Sequence, residues 1–400
     1  MDRRLLIFLD KTLFRVLFYL VVLVERLRRT KVESALRLNE LPRILVIRPG
    51  GLGDALMSVP FLRALKKAYP SSHVTVVCVK RNQPALEQLP FHDDLIIVDT
   101  LPRLVENLRT LRRGRYDMLF DLEAFRRTSS VIAWISGAQV RVGFDTNSRR
   151  HLYTHLVTYA GDRCFEAANM LRQLRVFDID VSADSALDMR ISLPEAHRLA
   201  APAMLAEFGL DPRRGVLVAV AVGIMKPHHE WVMSEFAALI ELIRTDDDVR
   251  IILVGAPSDR DSVDEVLGYL DGDEHIVDLV GRTDVPQVLG LLESCRILVS
   301  CDGGLVLMAA AMGCATVSIW GPGVMERYKP PGEQHVGVRK DYACIPCVTW
   351  DRLGEFPPCP YNRRCLNDLK ATDVFAAYKA LKRQLESDAR STSMCDASSD

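Results

Sequence analysis

The 400-residue sequence predicts an α/β protein made of two similar doubly wound halves, with a helical arm added at the N-terminus. Three observations carry this. Short apolar runs of strand length alternate with amphipathic stretches of helix length, the pattern of a parallel sheet covered on both faces. The alternation runs twice, restarting after a polar stretch at 178–193, a helix at 194–208 and the turn Asp211-Pro-Arg-Arg-Gly215. Glycine-rich turns join strand to helix in both series, and in such sheets ligands gather at the carboxyl ends of the strands.

In the first half, apolar runs place strands at 43–48, 73–79, 95–98, 118–121 and 141–144. The amphipathic segments between and after them place helices at 55–68, 84–89, 101–113, 129–136 and 165–177. In the second half, strands fall at 216–222, 250–254, 275–278, 297–300 and 316–320, with helices at 231–244, 260–270, 285–293 and 305–312. A last amphipathic helix covers 371–385, and the polar tail from 387 reads as disordered. The expected organisation is an arm at 1–40, a first domain at 41–195, a linker at 196–214, a second domain at 215–385 and a tail at 386–400.

Composition agrees with this plan. Hydrophobic residues make up 48% and charged residues 26%, globular values, and a net charge of -1 leaves no nucleic-acid footprint. Residues 1–43 differ: ten Lys/Arg against five Asp/Glu give about +5 by simple counting. Between these charges lie Leu5-Leu-Ile-Phe-Leu9 and Val16-Leu-Phe-Tyr-Leu-Val-Val-Leu-Val24. Arg15 and Asp10 keep the uninterrupted run below the roughly 20 apolar residues that span a bilayer. No small-residue cleavage site follows, so a cleaved signal peptide is not expected. A basic helix lying on a membrane surface through residues 1–38 is the favoured reading; a helix packed on the domain or on another subunit is the other.

Ten cysteines in a chain this long do not form a disulfide scaffold. Cys78, Cys164, Cys295, Cys301 and Cys314 stand in apolar surroundings and are expected as buried thiols. Cys344, Cys347, Cys359 and Cys365 cluster, and the first pair has metal-ligand spacing. A structural zinc or iron–sulfur site, a disulfide pair, or reduced thiols all fit that cluster.

The segment Ile44-Leu-Val-Ile-Arg48-Pro-Gly50-Gly51-Leu-Gly53-Asp54 carries the most information. A buried strand enters a turn whose glycines allow a ligand close to the main chain, and the turn delivers a carboxylate to a helix start. Asp54 reads as a helix cap, a catalytic base, or both. The dinucleotide fingerprint lacks its third glycine here, since Leu56 stands there, and no Gly-Lys-Ser/Thr P-loop exists. In the second half, Gly223-Ile-Met-Lys226-Pro-His228-His229-Glu-Trp231 joins a strand to a helix and could meet an anion. Each single histidine there reads first as an ordinary loop residue. Ser300-Cys-Asp302-Gly303-Gly304-Leu305 ends a strand and opens a helix whose free N–H groups suit a diphosphate. Asp302 caps the helix or orients the loop, and Gly321-Pro-Gly323 ends the next strand. Such loops are expected to line a cleft between the halves.

Taken in order, these segments resemble the ADP-heptose lipopolysaccharide heptosyltransferases of glycosyltransferase family 9, from about Arg43 to Leu385. Ile44 to Asp54 with Pro60-Phe-Leu-Arg-Ala-Leu65, Tyr116-Asp-Met-Leu-Phe-Asp121 and Arg141-Val-Gly-Phe144 match the first domain. Leu279-Val-Gly-Arg-Thr283, Ser300 to Gly304 with Ala309-Ala-Ala-Met-Gly313, and Val317-Ser-Ile-Trp-Gly-Pro322 match the second. The resemblance implies a GT-B fold of two facing Rossmann-like domains, with acceptor bound by the first and a nucleotide-diphosphate sugar such as ADP-heptose by the second. It implies inverting transfer without a catalytic cofactor or metal to a lipid-linked saccharide, at the inner face of a bacterial inner membrane. Asp54 would be the general base, and Arg48, Gly50, Gly51 and Gly53 would form the acceptor-side turn. Gly223, Lys226, Thr283, Asp302, Gly303, Gly304, Leu305 and Gly321 would serve the donor phosphates. Two positions depart from the family pattern. His229-Glu230 precede Trp231 where the family has Lys-Arg or Lys-His, and Leu307 stands where it has His. Donor identity is the property these departures touch most, and two alternatives stand beside the heptosyltransferase reading: the same fold with a different sugar donor in O-antigen or other glycolipid synthesis, and a catalytically degraded relative that only binds a lipid or protein partner.

Overall fold

In the computed structural model, the described residues are 13–28, 42–98, 101–181, 187–211, 215–223, 227–245, 248–270, 276–349 and 358–396. The chain forms two compact units, Met1–Asp188 and Met189–Asp400.

The first unit opens with helix α1 (Leu13–Arg28) and continues with β1 (Arg43–Ile47), α2 (Leu52–Met57), α3 (Val59–Ala68), β2 (His73–Cys78), α4 (Gln83–Leu86) and β3 (Asp94–Ile97). Then come α5 (Leu101–Arg113), β4 (Met118–Asp121), α6 (Arg127–Ser136), β5 (Val140–Phe144), a 3-10 turn (Asn147–Leu152), β6 (His155–Val157) and α7 (Glu166–Leu171). The six strands lie in the order β3-β2-β1-β4-β5-β6, and every pair is parallel. Their near-continuous Val/Ile/Leu content follows from burial on both faces.

The second unit runs α8 (Glu195–Glu207), β7 (Val216–Ala221), α9 (Met233–Arg244), β8 (Val249–Leu253), α10 (Arg260–Gly268), β9 (Ile276–Asp278) and α11 (Val285–Ser294). It closes with β10 (Ile297–Cys301), α12 (Gly304–Ala311), β11 (Ala315–Ile319), α13 (Met325–Tyr328), β12 (His335–Val338), α14 (Arg364–Asn367) and α15 (Ala371–Asp396). Its order, β12-β11-β10-β7-β8-β9, is again all parallel and repeats the winding of the first sheet. Each sheet reverses direction of growth once, between β1 and β4 in the first unit and between β7 and β10 in the second. Such a switch point opens a crevice at the strand ends.

The cores follow the strand faces. Leu45, Ile47, Val77 and Leu119 pack with Leu111 and Tyr153 in the first unit. Val218, Val220, Phe236, Ile240, Val299 and Val317 pack with Trp231, Val374 and Tyr378 in the second. Trp231 precedes α9 and donates its indole N–H to Leu369 O at 3.0 Å, tying the start of that helix to the C-terminal segment.

Several expectations change. The helix foreseen at 55–68 starts earlier and breaks at Ser58, whose hydroxyl turns back to Ala55 O. The helix foreseen at 165–177 is α-helical only to Leu171 and continues as a 3-10 turn. Strands β6 and β12 escape the pattern because they are short edge strands, one with an exposed Leu156 and one with Gly337 at its centre. The segment expected as a linker is largely α8, which packs on α11: a Cβ on Gly290 would stand 3.0 Å from Ala201 Cβ. The last helix continues to Asp396, through most of the tail expected to be disordered. Cys78, Cys295, Cys301 and Cys314 are buried, whereas Cys164 is only half-buried beside the turn at Gly161–Arg163.

The arm is one helix in its described part. Phe18, Val21 and Val22 pack on Val131 and Leu152 of the first unit. Tyr19, Leu20, Leu23 and Val24 point outward and are exposed. No helix among the described residues is long and apolar enough to cross a membrane.

Candidate active site

The first unit's switch point holds the glycine–aspartate turn. Arg48 follows β1 and is 3% exposed, so its guanidinium must find partners inside. It donates to Asp54 O at 2.8 Å, to Asp54 Oδ1 at 3.0 Å and to Leu122 O, after β4, at 3.4 Å. Asp54 Oδ2 accepts the Gly51 backbone N–H at 2.7 Å, closing the first turn of α2. The carboxylate is therefore gripped from two sides, yet its side chain stays 23% exposed. Asp54 is a helix-capping group and an accessible carboxylate at once. Gly50 is required by space: a Cβ there would sit 2.5 Å from Asp54 Oδ2. Arg81 and Asn82 brace the turn by donating to Gly50 O at 3.2 Å and Arg48 O at 2.8 Å. The sequence reading missed both, since they follow β2 and carry no motif.

Beneath this turn lies a buried polar cluster at the end of β4. Asp121 Oδ2 accepts from Arg149 at 2.7 Å and from the Tyr153 hydroxyl at 2.6 Å. Its Oδ1 accepts the Glu123 N–H at 3.0 Å. Burial pushes the Asp121 carboxyl up, and the neighbouring Arg149 guanidinium opposes that shift. Asp121 pairs with Ile47 in the sheet, one residue before Arg48, so the cluster underlies the turn that holds Asp54.

In the second unit, the loops after β7 and β10 meet at the corresponding place. His229 is 3% exposed, and its Nδ1 lies 3.0 Å from Asp302 Oδ2. The alignment falls short of a hydrogen bond, and both ring nitrogens are buried without a partner among the described residues. Asp302 is fixed by its backbone N–H to Ile319 O at 3.0 Å. Gly303 caps α12, leaving the N–H groups of Gly304 and Leu305 at the positive end of that helix. Gly323 makes the close approach possible: a Cβ there would stand 2.8 Å from Asp302 Oδ2 and 3.0 Å from His229 Cε1. The sequence names His229 and Gly323 as residues of loops at strand ends, and what it does not show is that the two loops bring them together beside Asp302.

Two other glycines expected on the donor side are also required by packing. Gly223 gives clearance to Asp259, whose Cβ would otherwise lie 2.2 Å from a new Cβ. Gly321 gives clearance to the buried Leu366, at 2.6 Å. Thr283 follows the edge strand β9, two strands from the switch point, with its hydroxyl buried and unpartnered among the described residues. Leu307 is buried and belongs to the core. Lys226 lies outside the described residues.

The four clustered cysteines form no disulfide among the described residues. Cys365 is buried, and its thiol is pushed up, first by burial and then by the charges of Cys347, Cys359 and Cys344. That proximity is electrostatic. Among the described residues, no group of three or more His, Cys, Asp or Glu side chains is placed to hold a metal ion. Cys365 is committed to the core while Cys347 and Cys359 face solvent.

Two doubly wound parallel sheets, each with a loop-built site at its switch point, define a GT-B glycosyltransferase. The chain belongs to glycosyltransferase family 9, the heptosyltransferase family, whose profile matches residues 105–354. Among curated relatives it is 24% identical over 300 residues to lipopolysaccharide heptosyltransferase 2 of Salmonella typhimurium, covering 72% of this chain and 85% of that one. It is 26% identical over 308 residues to lipooligosaccharide heptosyltransferase 2 of Haemophilus ducreyi, with 72% and 86% covered. Among solved structures, a family 9 glycosyl transferase from Veillonella parvula superposes with a TM-score of 0.74 at 22% identity, covering 87% of this chain and 99% of that one. ADP-heptose lps heptosyltransferase II of E. coli superposes at 0.70 and 21%, with 86% and 99% covered.

Proposed function

We propose that this chain transfers a heptose, with inversion, from a nucleotide-diphosphate sugar such as ADP-heptose to a lipid-linked saccharide of the lipopolysaccharide-core type. Asp54 takes the proton of the acceptor hydroxyl as that oxygen attacks the anomeric carbon. The bond from that carbon to the diphosphate breaks, and the nucleoside diphosphate leaves. The α12 N-terminus, with His229 beside it, stabilises the charge that develops on the leaving group. No metal or cofactor takes part in this scheme. The observation that carries the reading is the Asp54 carboxylate, fixed by Arg48 and Gly51 and still open to a reactant. The basic arm supports a peripheral position at the inner face of a bacterial inner membrane.

The deciding experiment is transfer from ADP-heptose to a core acceptor by wild type and Asp54→Asn. Loss of transfer with donor binding retained supports the base role; unchanged transfer removes it. A second reading keeps the fold and the base but changes the sugar donor. His229 in the family's lysine position and the buried Leu307 favour it, and binding of ADP-heptose against other nucleotide sugars separates the two.

A further inference from the structure

The arm helix has two apolar faces, and the first unit covers one of them. Phe18, Val21 and Val22 are buried against Val131 and Leu152. Glu25 fastens that side: one carboxylate oxygen accepts from Arg141 at 2.7 Å, the other from the Trp134 indole at 2.9 Å. The opposite side carries Tyr19, Leu20, Leu23 and Val24, at 48%, 54%, 53% and 37% exposure. Single exposed apolar side chains are ordinary, but four adjacent ones on a surface helix mark a contact surface. The charge of the adjoining sequence says what kind. Residues 13–31 contain Arg15, Arg26, Arg28, Arg29 and Lys31 against Glu25, whose charge Arg141 already balances.

We propose that the outer face of α1, formed by Tyr19, Leu20, Leu23 and Val24, docks in the plane of an anionic lipid surface while its inner face carries the first unit. The 16 described residues of the helix are too few to span a bilayer, for which roughly 20 apolar residues are needed. An apolar stripe among cations is the make-up of an interfacial helix, and tyrosine suits the headgroup boundary. A second copy of the chain is the poorer occupant, because pairing α1 with itself would bring like charges together. The docking surface rests on the peripheral position proposed above and not on the sugar transferred.

The test is sedimentation of the full chain with vesicles of phosphatidylglycerol and phosphatidylethanolamine, and with vesicles of phosphatidylcholine alone. Wild type is expected to bind the anionic vesicles, and Leu20→Glu/Leu23→Glu to bind them about tenfold or more weakly with an unchanged thermal midpoint. In Tyr19→Trp, the emission of the introduced indole should shift to the blue on addition of the anionic vesicles. Wild-type binding by the double variant, no emission shift, or equal binding to both vesicle types would overturn the proposal. A fall in oligomeric size with vesicle binding unchanged would overturn it in favour of a contact between copies. Transfer to a delipidated, soluble acceptor should be equal in wild type and double variant. Its failure in both would strike the enzymatic reading and leave the vesicle result standing.

Discussion

At the scale of single residues, Asp54 caps α2 and serves as base in the proposed reaction with one carboxylate. Asp54→Asn is expected to lower kcat by a factor on the order of 10² to 10⁴, the usual worth of a positioned base. Its effect on unfolding should be small, about 1 kcal/mol for the weakened cap, read by urea denaturation. Gly50→Ala should lose activity in the same assay without touching any reacting group, because the new methyl group displaces the carboxylate. The buried His229 ring sets Nδ1 3.0 Å from Asp302 Oδ2 and leaves Nε2 without a hydrogen-bond partner among the described residues, a costly arrangement unless a ligand uses that nitrogen. Calorimetric titration of His229→Ala should show nucleoside-diphosphate affinity reduced by about tenfold or more, the worth of one hydrogen bond to a charged group. His335 gives a pH dependence outside the site. It is 5% exposed, and burial, followed by the charge of Lys329, presses its imidazole from 6.5 down to about 4. The unfolded chain accepts a proton that the native chain refuses. The contribution is therefore whole above about pH 6.5 and is lost as pH falls toward about 4. This residue alone should make the protein about 2 kcal/mol less stable near about pH 5 than near about pH 7, a difference that denaturant titration should find missing in His335→Gln.

At the scale of elements, the cluster of Asp121, Arg149 and Tyr153 joins β4 to the segment around β5 and underpins the Asp54 turn. Arg149→Met would strand a buried carboxylate and should cost about 3–5 kcal/mol by urea unfolding, with part recovered in Asp121→Asn/Arg149→Met. The same cluster explains a segment that the sequence displayed without a reason. In Arg141-Val-Gly143-Phe144, a Cβ on Gly143 would stand 2.4 Å from the Tyr153 ring, and Arg141 anchors the arm through Glu25. Strands β1, β4, β7 and β10 were legible because burial on both faces leaves a continuous apolar signature. The turn at Gly50 to Asp54 was legible because steric clearance demands glycine there. The edge strands were not, and neither was the pairing of His229 with Asp302, which joins loops far apart in the chain. Nor could spacing alone distinguish glycines that admit a ligand from those, such as Gly321, that admit a leucine.

At the scale of the molecule, the proposed scheme divides donor and acceptor chemistry between two units, each with its own switch point. ADP at about a hundred times its dissociation constant should stabilise the chain by about 2.7 kcal/mol, seen as a rise in Tm. Asp54→Asn should leave that rise intact, while His229→Ala should reduce it. The all-parallel winding has another consequence. Ile44 must find Met118, and Val218 must find Ile297, across long stretches of intervening chain. Among the described residues no strand pair is a local hairpin, so most of the ordering entropy is spent before the sheets close. Refolding from denaturant should be slow. While it waits, the exposed Val- and Ile-rich strands will stick to one another, so cool synthesis and low concentration should raise the recovered fraction.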